Sequence, residues 1–218
     1  MAPRAFERPT TIALPDARDP SLALEGLHVP VRDGPLGGAV IAPPHPLYGG
    51  SMDSPVVTEV AHACQHAEIE SLRFNWRGVG ASAGEVSGEL TLGVADYAAA
   101  LDWMEESVEG PITACGYSFG AAAAVRACIA RPRVQRLLLV APPPVMIERE
   151  MLESFRGAID VLVGDRDEFA PQRELETLFQ ALPRGRLEVL PDCDHFFMTA
   201  CPDVGRIARS FLARRDLP

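Results

Sequence analysis

The sequence contains no lysine: its 20 basic residues are all arginine, set against 30 Asp and Glu, for a net charge of -10 over 218 residues. Without a lysine amine there is no Schiff base to a carbonyl substrate or to pyridoxal phosphate, and without a lysine ammonium no phosphate-binding loop of the Walker type. Phosphoryl transfer from ATP is therefore not expected. Runs of basic residues are missing as well. Arg131 and Arg133, either side of a proline, are too few to track a phosphate backbone, so no nucleic-acid partner is expected. No stretch approaches the roughly 18 to 20 apolar residues that a membrane helix needs, and the opening residues carry no apolar leader. The expectation is a cytoplasmic protein with no membrane partner. The five cysteines (Cys64, Cys115, Cys128, Cys193, Cys201) are odd in number and lack C-x-x-C spacing, which predicts reduced thiols rather than a disulfide framework or a zinc site. Aromatics make up only 6% of the chain, so the core is expected to be aliphatic and alanine-rich.

What is present is the profile of one globular domain over residues 1–218, with 47% hydrophobic and 23% charged residues. Apolar β-rich runs alternate with helical patterns, the signature of a mainly parallel sheet flanked by helices. Segments near Thr10 to Leu14 and Ala23 to Val31 read as short, antiparallel strands. Buried strands are predicted at Gly38 to Ala42, Ile69 to Asn75, Ile112 to Tyr117, Gln135 to Ala141, Ile159 to Gly164 and Arg186 to Leu190. Helices are predicted at Ser54 to Ala67, Leu90 to Ser107, from Phe119 onward, near Met146 to Phe155, at Pro171 to Leu182, and in a last segment reaching Arg214. In the second of these, Val94, Tyr97, Ala98, Leu101 and Met104 form the expected apolar face.

Gly116-Tyr117-Ser118-Phe119-Gly120 is a G-x-S-x-G sequence set between a predicted strand and a predicted helix. A serine on so tight a turn is forced toward a strained backbone, and side chains two residues to either side would collide with neighbouring elements. The same turn aims the Phe119 amide at a developing oxyanion and puts the hydroxyl at a helix N-terminus. Ser118 is thus a candidate nucleophile rather than a mere helix cap. Serine needs a base, and the base needs an orienting acid. His195 lies in a loop after the strand ending at Leu190, at the carboxyl end where open parallel sheets place their sites. For the acid, Asp165 and Asp167 compete in Gly164-Asp165-Arg166-Asp167. Asp167 is favoured, because Asp165 lies nearer the strand end and can tie down the turn through backbone bonds. The order Ser, Asp, His is that of a hydrolase with a nucleophile elbow.

A second oxyanion donor is expected from the loop Pro43 to Gly50. Pro46 has no N-H. Leu47 is the first choice and Tyr48 the second, with His45 assigned to fixing the loop. His62 and His66 have helical metal-ligand spacing but no third ligand, so no metal is expected.

These residues carry a resemblance. The stretches His45-Pro46-Leu47-Tyr48-Gly49-Gly50-Ser51-Met52-Asp53 and Arg73-Phe74-Asn75-Trp76-Arg77-Gly78-Val79-Gly80-Ala81-Ser82, the elbow at Ser118, and Asp194-His195-Phe196-Phe197 resemble the α/β-hydrolase superfamily. The likeness is to its small lidless subgroup, related to dienelactone hydrolases and serine-aminopeptidase-like hydrolases. It implies Ser118 as nucleophile, His195 as base, Asp167 as acid, no cofactor, and an α/β-hydrolase fold of about eight strands with helices on both faces. Relatives often carry histidine where this chain has Pro43 and lysine where it has Pro55, neither in the triad. Dienelactone hydrolases proper use a cysteine nucleophile, so Ser118 makes a lactone substrate less expected.

About sixteen residues separate Ala141 from Ala158, room for one short helix but no separate cap domain. An open site lined by Tyr48, Met52, Phe119, Met146, Phe169 and Phe196 favours an uncharged small-molecule substrate. The expected activity is serine hydrolysis of a carboxylic ester, thioester or small amide. Acyl transfer on the same triad and a catalytically idle interaction module are the alternatives. The negative charge disfavours anionic substrates unless Arg77 or another arginine reverses it locally; oligomeric state is not legible.

Overall fold

The computed structural model describes residues 7–15, 22–31, 34–179, 182 and 184–214. Eight strands form one sheet: β1 (Arg8–Ala13), β2 (Ala23–Val29), β3 (Gly38–Ala42), β4 (Glu70–Phe74), β5 (Ile112–Tyr117), β6 (Val134–Val140), β7 (Ala158–Gly164) and β8 (Gly185–Leu190). Their order is β1-β2-β4-β3-β5-β6-β7-β8. The pairs β1/β2 and β2/β4 are antiparallel and all others parallel. Every residue of β3 and of β5 is buried, which is why they read as unbroken apolar runs: a parallel strand covered on both faces has no polar side to alternate with. The edge strand β1 alternates instead.

Among the described residues five α-helices connect strands, α1 (Pro55–His66), α2 (Leu90–Ser107), α3 (Phe119–Cys128), α4 (Arg149–Ser154) and α5 (Gln172–Phe179), and α6 (Cys201–Leu212) follows β8. The α1 crossover carries the chain from β3 to one side, and α2 and α3 carry it to the other. Right-handed crossovers therefore put α1 on one face of the sheet and α2 and α3 on the opposite one. α6 returns to pack on α1. Because β3 and β5 send the chain in opposite directions, a crevice opens between the loops at their carboxyl ends, where ligands bind in such sheets. Between β6 and β7 stand only a short 3-10 turn, Pro144–Met146, and α4. No cap domain covers the crevice from this connection. The fold agrees with the expected architecture; the expected extension of α5 to Leu182 crosses residues 180 and 181, outside the described ones.

Charge inside the molecule departs from the sequence expectation. The buried stripe of α2 includes Gly93, Asp96, Tyr97, Leu101 and Met104, while Val94 and Ala98 are only half-buried. Asp96 is turned inward because Arg77 donates to it from Nε, from Nη2 and from its backbone N-H. Burial pushes the Asp96 carboxyl up, a tendency that those three bonds oppose. Within the sheet, Asp160 of β7 accepts from Arg136 of β6 and Arg186 of β8, and Arg136 also donates to the carbonyls of Phe211 and Arg214. A buried carboxylate shared by two guanidiniums is thus what fastens the end of α6 to the sheet.

Close approach between α3 and β3 depends on glycine. A Cβ on Gly120 would stand 2.5 Å from the Pro43 carbonyl oxygen, and one on Gly116 would stand 2.2 Å from the Gly120 carbonyl oxygen. Both obstacles are backbone and cannot swing away. Gly120→Ala is expected to destabilise the fold by about 3 kcal/mol through overpacking. At about 2–4 °C per kcal/mol for a chain of this size, thermal denaturation should show a fall of about 6–12 °C; an unchanged melting temperature would contradict this account of the contact.

Candidate active site

Ser118 sits between β5 and α3 with φ 55° and ψ −116°, a backbone region that side chains rarely adopt. Its amide donates to the Val140 carbonyl, and its own carbonyl accepts from Ala121, so the strained residue is pinned from both sides. The Phe119 amide is the first of α3 and makes no hydrogen bond among the described residues, as expected of a first-turn donor. It is free to meet an anion.

His195 Nε2 lies 2.9 Å from Ser118 Oγ. On the other side of the ring, Nδ1 lies 2.8 Å from Asp167 Oδ2 and 3.0 Å from Oδ1. With a proton on Nδ1 donated to the carboxylate, Nε2 is left to accept from the serine hydroxyl. Asp167 is itself held in place, its Oδ1 accepting from the amides of Phe169 at 2.9 Å and Ala170 at 2.7 Å. Its side chain is fully buried. Asp165 occupies a different position: its Oδ1 accepts from the Cys193 amide, linking the loop after β7 to the loop after β8. The backbone N-H groups of Cys193 and Asp192 hold that carboxyl below the usual carboxylate range. Of the two competing aspartates, the geometry joins Asp167 to His195.

Tyr117, the residue before the serine, has a buried phenol that donates to the His195 carbonyl at 2.7 Å. Burial, ahead of the neighbouring carboxylates, pushes this phenol well above its ordinary range and keeps it a donor. Sequence reasoning missed it, since nothing in a G-x-S-x-G pattern announces a bond spanning 78 residues.

The loop after β3 forms a 3-10 turn, Pro46–Tyr48. The Leu47 amide donates to His45 Nδ1 over 3.3 Å, and the Tyr48 amide to the His45 carbonyl over 3.1 Å. The His45 ring stands 4.8 Å from that of Tyr48 and 4.9 Å from that of Phe119, and burial lowers its basicity. Its contacts tie this loop to the start of α3.

The residues expected to line the site divide. Tyr48, Phe169 and Phe196 are exposed, and Met146 is half-buried beside an exposed Val145. Met52 is only 5% exposed, so little of it is available to a substrate; its amide donates to Asn75 Oδ1, which anchors the residue inside the loop. The Phe119 ring, also expected at the surface, is 1% exposed and packs against Trp76 and His45. Arg77, considered as a local counter to the negative charge, is committed to Asp96, and Arg166 beside the site pairs with Asp192.

Other chemistry finds no assembly. Among the described residues no three or more His, Cys, Asp or Glu side chains are grouped to hold a metal ion. All five thiols are free. Cys115, three residues before Ser118, lies inside β5, where a hydrogen bond with Cys64 and burial push its thiol well up, the opposite of an activated nucleophile. No helix among the described residues is long and apolar enough to cross a membrane.

Comparison with known proteins agrees with this fold. The family described as serine aminopeptidase, S33, matches residues 47–151. An uncharacterised protein of Rickettsia prowazekii (strain Madrid E) is 28% identical over 186 residues, 80% of this chain and 77% of that one. An α/β serine hydrolase homologue from Coxiella burnetii is 26% identical, with a TM-score of 0.82 over 94% of this chain and 97% of its own. An α/β serine hydrolase without lid from Xanthomonas campestris is 27% identical, with a TM-score of 0.80 over 97% and 95%. Fold and relatives agree: the chain has the α/β-hydrolase fold and is similar to serine hydrolases, one of them described as without lid.

Proposed function

We propose that this protein is a cofactor-independent serine hydrolase that cleaves an uncharged carboxylic ester, thioester or small amide through an acyl-enzyme on Ser118. The observation that carries the reading is the hydrogen-bonded line from Ser118 Oγ through His195 to Asp167. His195 Nε2 takes the hydroxyl proton as Oγ attacks the carbonyl carbon, and returns it to the leaving oxygen, sulfur or nitrogen as the bond to the acyl carbon breaks and the acyl-enzyme forms. Asp167 holds the imidazole in the tautomer that keeps Nε2 open and stabilises the imidazolium. The oxyanion is received by the Phe119 amide, which has no competing acceptor, and by the Leu47 amide, which exchanges its long bond to His45 Nδ1 for a charged oxygen. Water then attacks the acyl carbon by the same proton path.

A fluorophosphonate probe and a panel of p-nitrophenyl esters test the reading: labelling and turnover are expected of the wild type and neither of Ser118→Ala. Wild-type protein that does neither would refute it. Tyr117 acts as a positioning residue in this scheme. Tyr117→Phe keeps the ring and removes the bond to the His195 carbonyl, worth about a factor of ten. The expected result is kcat lowered about 5- to 10-fold with KM within about two-fold, whereas general loosening of the site would raise KM in step.

A further inference from the structure

The loops around Ser118 carry an unusual share of the exposed apolar surface. Nine large hydrophobic side chains are exposed among the described residues, and six of them (Leu47, Tyr48, Val145, Phe169, Phe196 and Met198) stand on loops at the carboxyl ends of β3, β6, β7 and β8. Phe169 and Phe196 are in ring contact with each other and with His195, and a contiguous exposed apolar surface of this kind marks a binding site. A permanently bound partner on these rings would cover the histidine beside the serine, while a substrate's own apolar part departs at each turnover. Resting on the proposed function, then, the occupant is part of the substrate.

Proton transfer decides which part. The leaving oxygen has to come within hydrogen-bond reach of His195 Nε2 to receive its proton. Three rings pack on that imidazole: Tyr117, at 5.6 Å between centroids but buried, and the exposed Phe169, at 4.9 Å, and Phe196, at 5.7 Å; the two phenylalanines are 6.3 Å from each other. From the geometry we infer that Phe169 and Phe196 form a leaving-group subsite, which selects esters of apolar, uncharged alcohols, alkyl or benzylic. In acylation the Ser118 Oγ–carbonyl carbon bond forms, the carbon–alkoxide oxygen bond breaks, and the serine proton passes by way of His195 to that oxygen. The alcohol leaves across the two rings. Charge sharpens the selection: the same two loops expose Asp165, Glu168, Asp192 and Asp194, and their one arginine, Arg166, is paired with Asp192. An alcohol bearing a carboxylate or phosphate meets uncompensated negative charge.

The test is kcat/KM, by pH-stat, for butyrate esters of methanol, butanol, benzyl alcohol and 4-hydroxybutanoate. Each yields the same acyl-enzyme, so differences report the alcohol alone. A methylene fully removed from water is worth about four-fold and one laid against a single wall about two-fold, so butyl should exceed methyl by about eight-fold. The carboxylate-bearing ester should fall at least about ten-fold below butyl. Both rings are more than half exposed, at 58% and 57%, so replacing them does not empty the core. The double variant Phe169→Ser/Phe196→Ser should reduce the butyl-to-methyl ratio below about two, and Phe169→Leu/Phe196→Leu should restore most of it. A wild-type ratio below two, a serine double variant that keeps the ratio, or a carboxylate ester cleaved as well as butyl would overturn the inference. If that happens while the fluorophosphonate still labels the wild type, the subsite alone is wrong; absence of labelling refutes the hydrolase reading beneath it.

Discussion

Ser118→Ala is expected to abolish fluorophosphonate labelling and to lower kcat on p-nitrophenyl butyrate by on the order of 10⁴- to 10⁶-fold, leaving only what the oxyanion donors and binding supply. The substitution removes one oxygen and leaves the backbone as strained as before, at φ 55°. Thermal stability should therefore be nearly unchanged, which separates loss of chemistry from loss of fold. Ser118→Gly should be equally inactive but behave differently on heating. Glycine tolerates this φ and ψ, and relief of strain of about 1–3 kcal/mol outweighs the extra freedom glycine brings to the unfolded chain, about 0.5–1 kcal/mol. A rise of a few degrees in melting temperature is expected. A Ser118→Ala variant with residual turnover within ten-fold of wild type would exclude Ser118 as the nucleophile. A fall in the melting temperature of Ser118→Gly would show that the elbow stores no strain.

Asp167→Asn is expected to cost about 10³- to 10⁴-fold in kcat with little change in KM. The reason lies in the partners of the carboxylate. The amides of Phe169 and Ala170 both donate to Oδ1, so an asparagine keeps its carbonyl oxygen there and turns its NH₂ toward His195 Nδ1. That nitrogen then becomes an acceptor. The ring proton moves to Nε2, which can no longer take the proton of Ser118. Asp165→Asn touches only backbone N-H contacts, those of Cys193 and Asp192, in which the asparagine carbonyl can replace the carboxylate. Its kcat should stay within about three-fold of wild type. Equal losses in the two variants would contradict the assignment of the acid.

Much of the fold was legible because its signals are local. The central strands are covered on both faces, so their apolar runs stand out, and the loops between are marked by Pro and Gly; predicted and observed ends differ by one or two residues for most elements. Ionised groups inside the sheet were not legible. Arg136 and Asp160 lie in segments that read as apolar strands, and each is tolerable there only because the other, together with Arg186 and the end of α6, arrives from a distant part of the sequence. Asp96 escaped notice for the same reason, its partner Arg77 being 19 residues away. The expected exposure of Met52 and of the Phe119 ring failed because an aromatic or thioether near a catalytic loop looks the same in sequence whether it faces solvent or the core.

By itself, then, the sequence determined the elbow. Gly116, Ser118 and Gly120 on a strand-to-helix turn favour one backbone solution, and a lysine-free chain leaves no Schiff base and no phosphate-binding loop of the Walker type. It also determined the order of elements, and with it which loops share the carboxyl edge of the sheet. Tertiary structure decided which aspartate meets His195, what the Tyr117 phenol holds, and which apolar side chains remain in solvent. Those outcomes turn on contacts between residues tens of positions apart, and hydrogen-bond geometry discriminates at tenths of an ångström where sequence spacing does not.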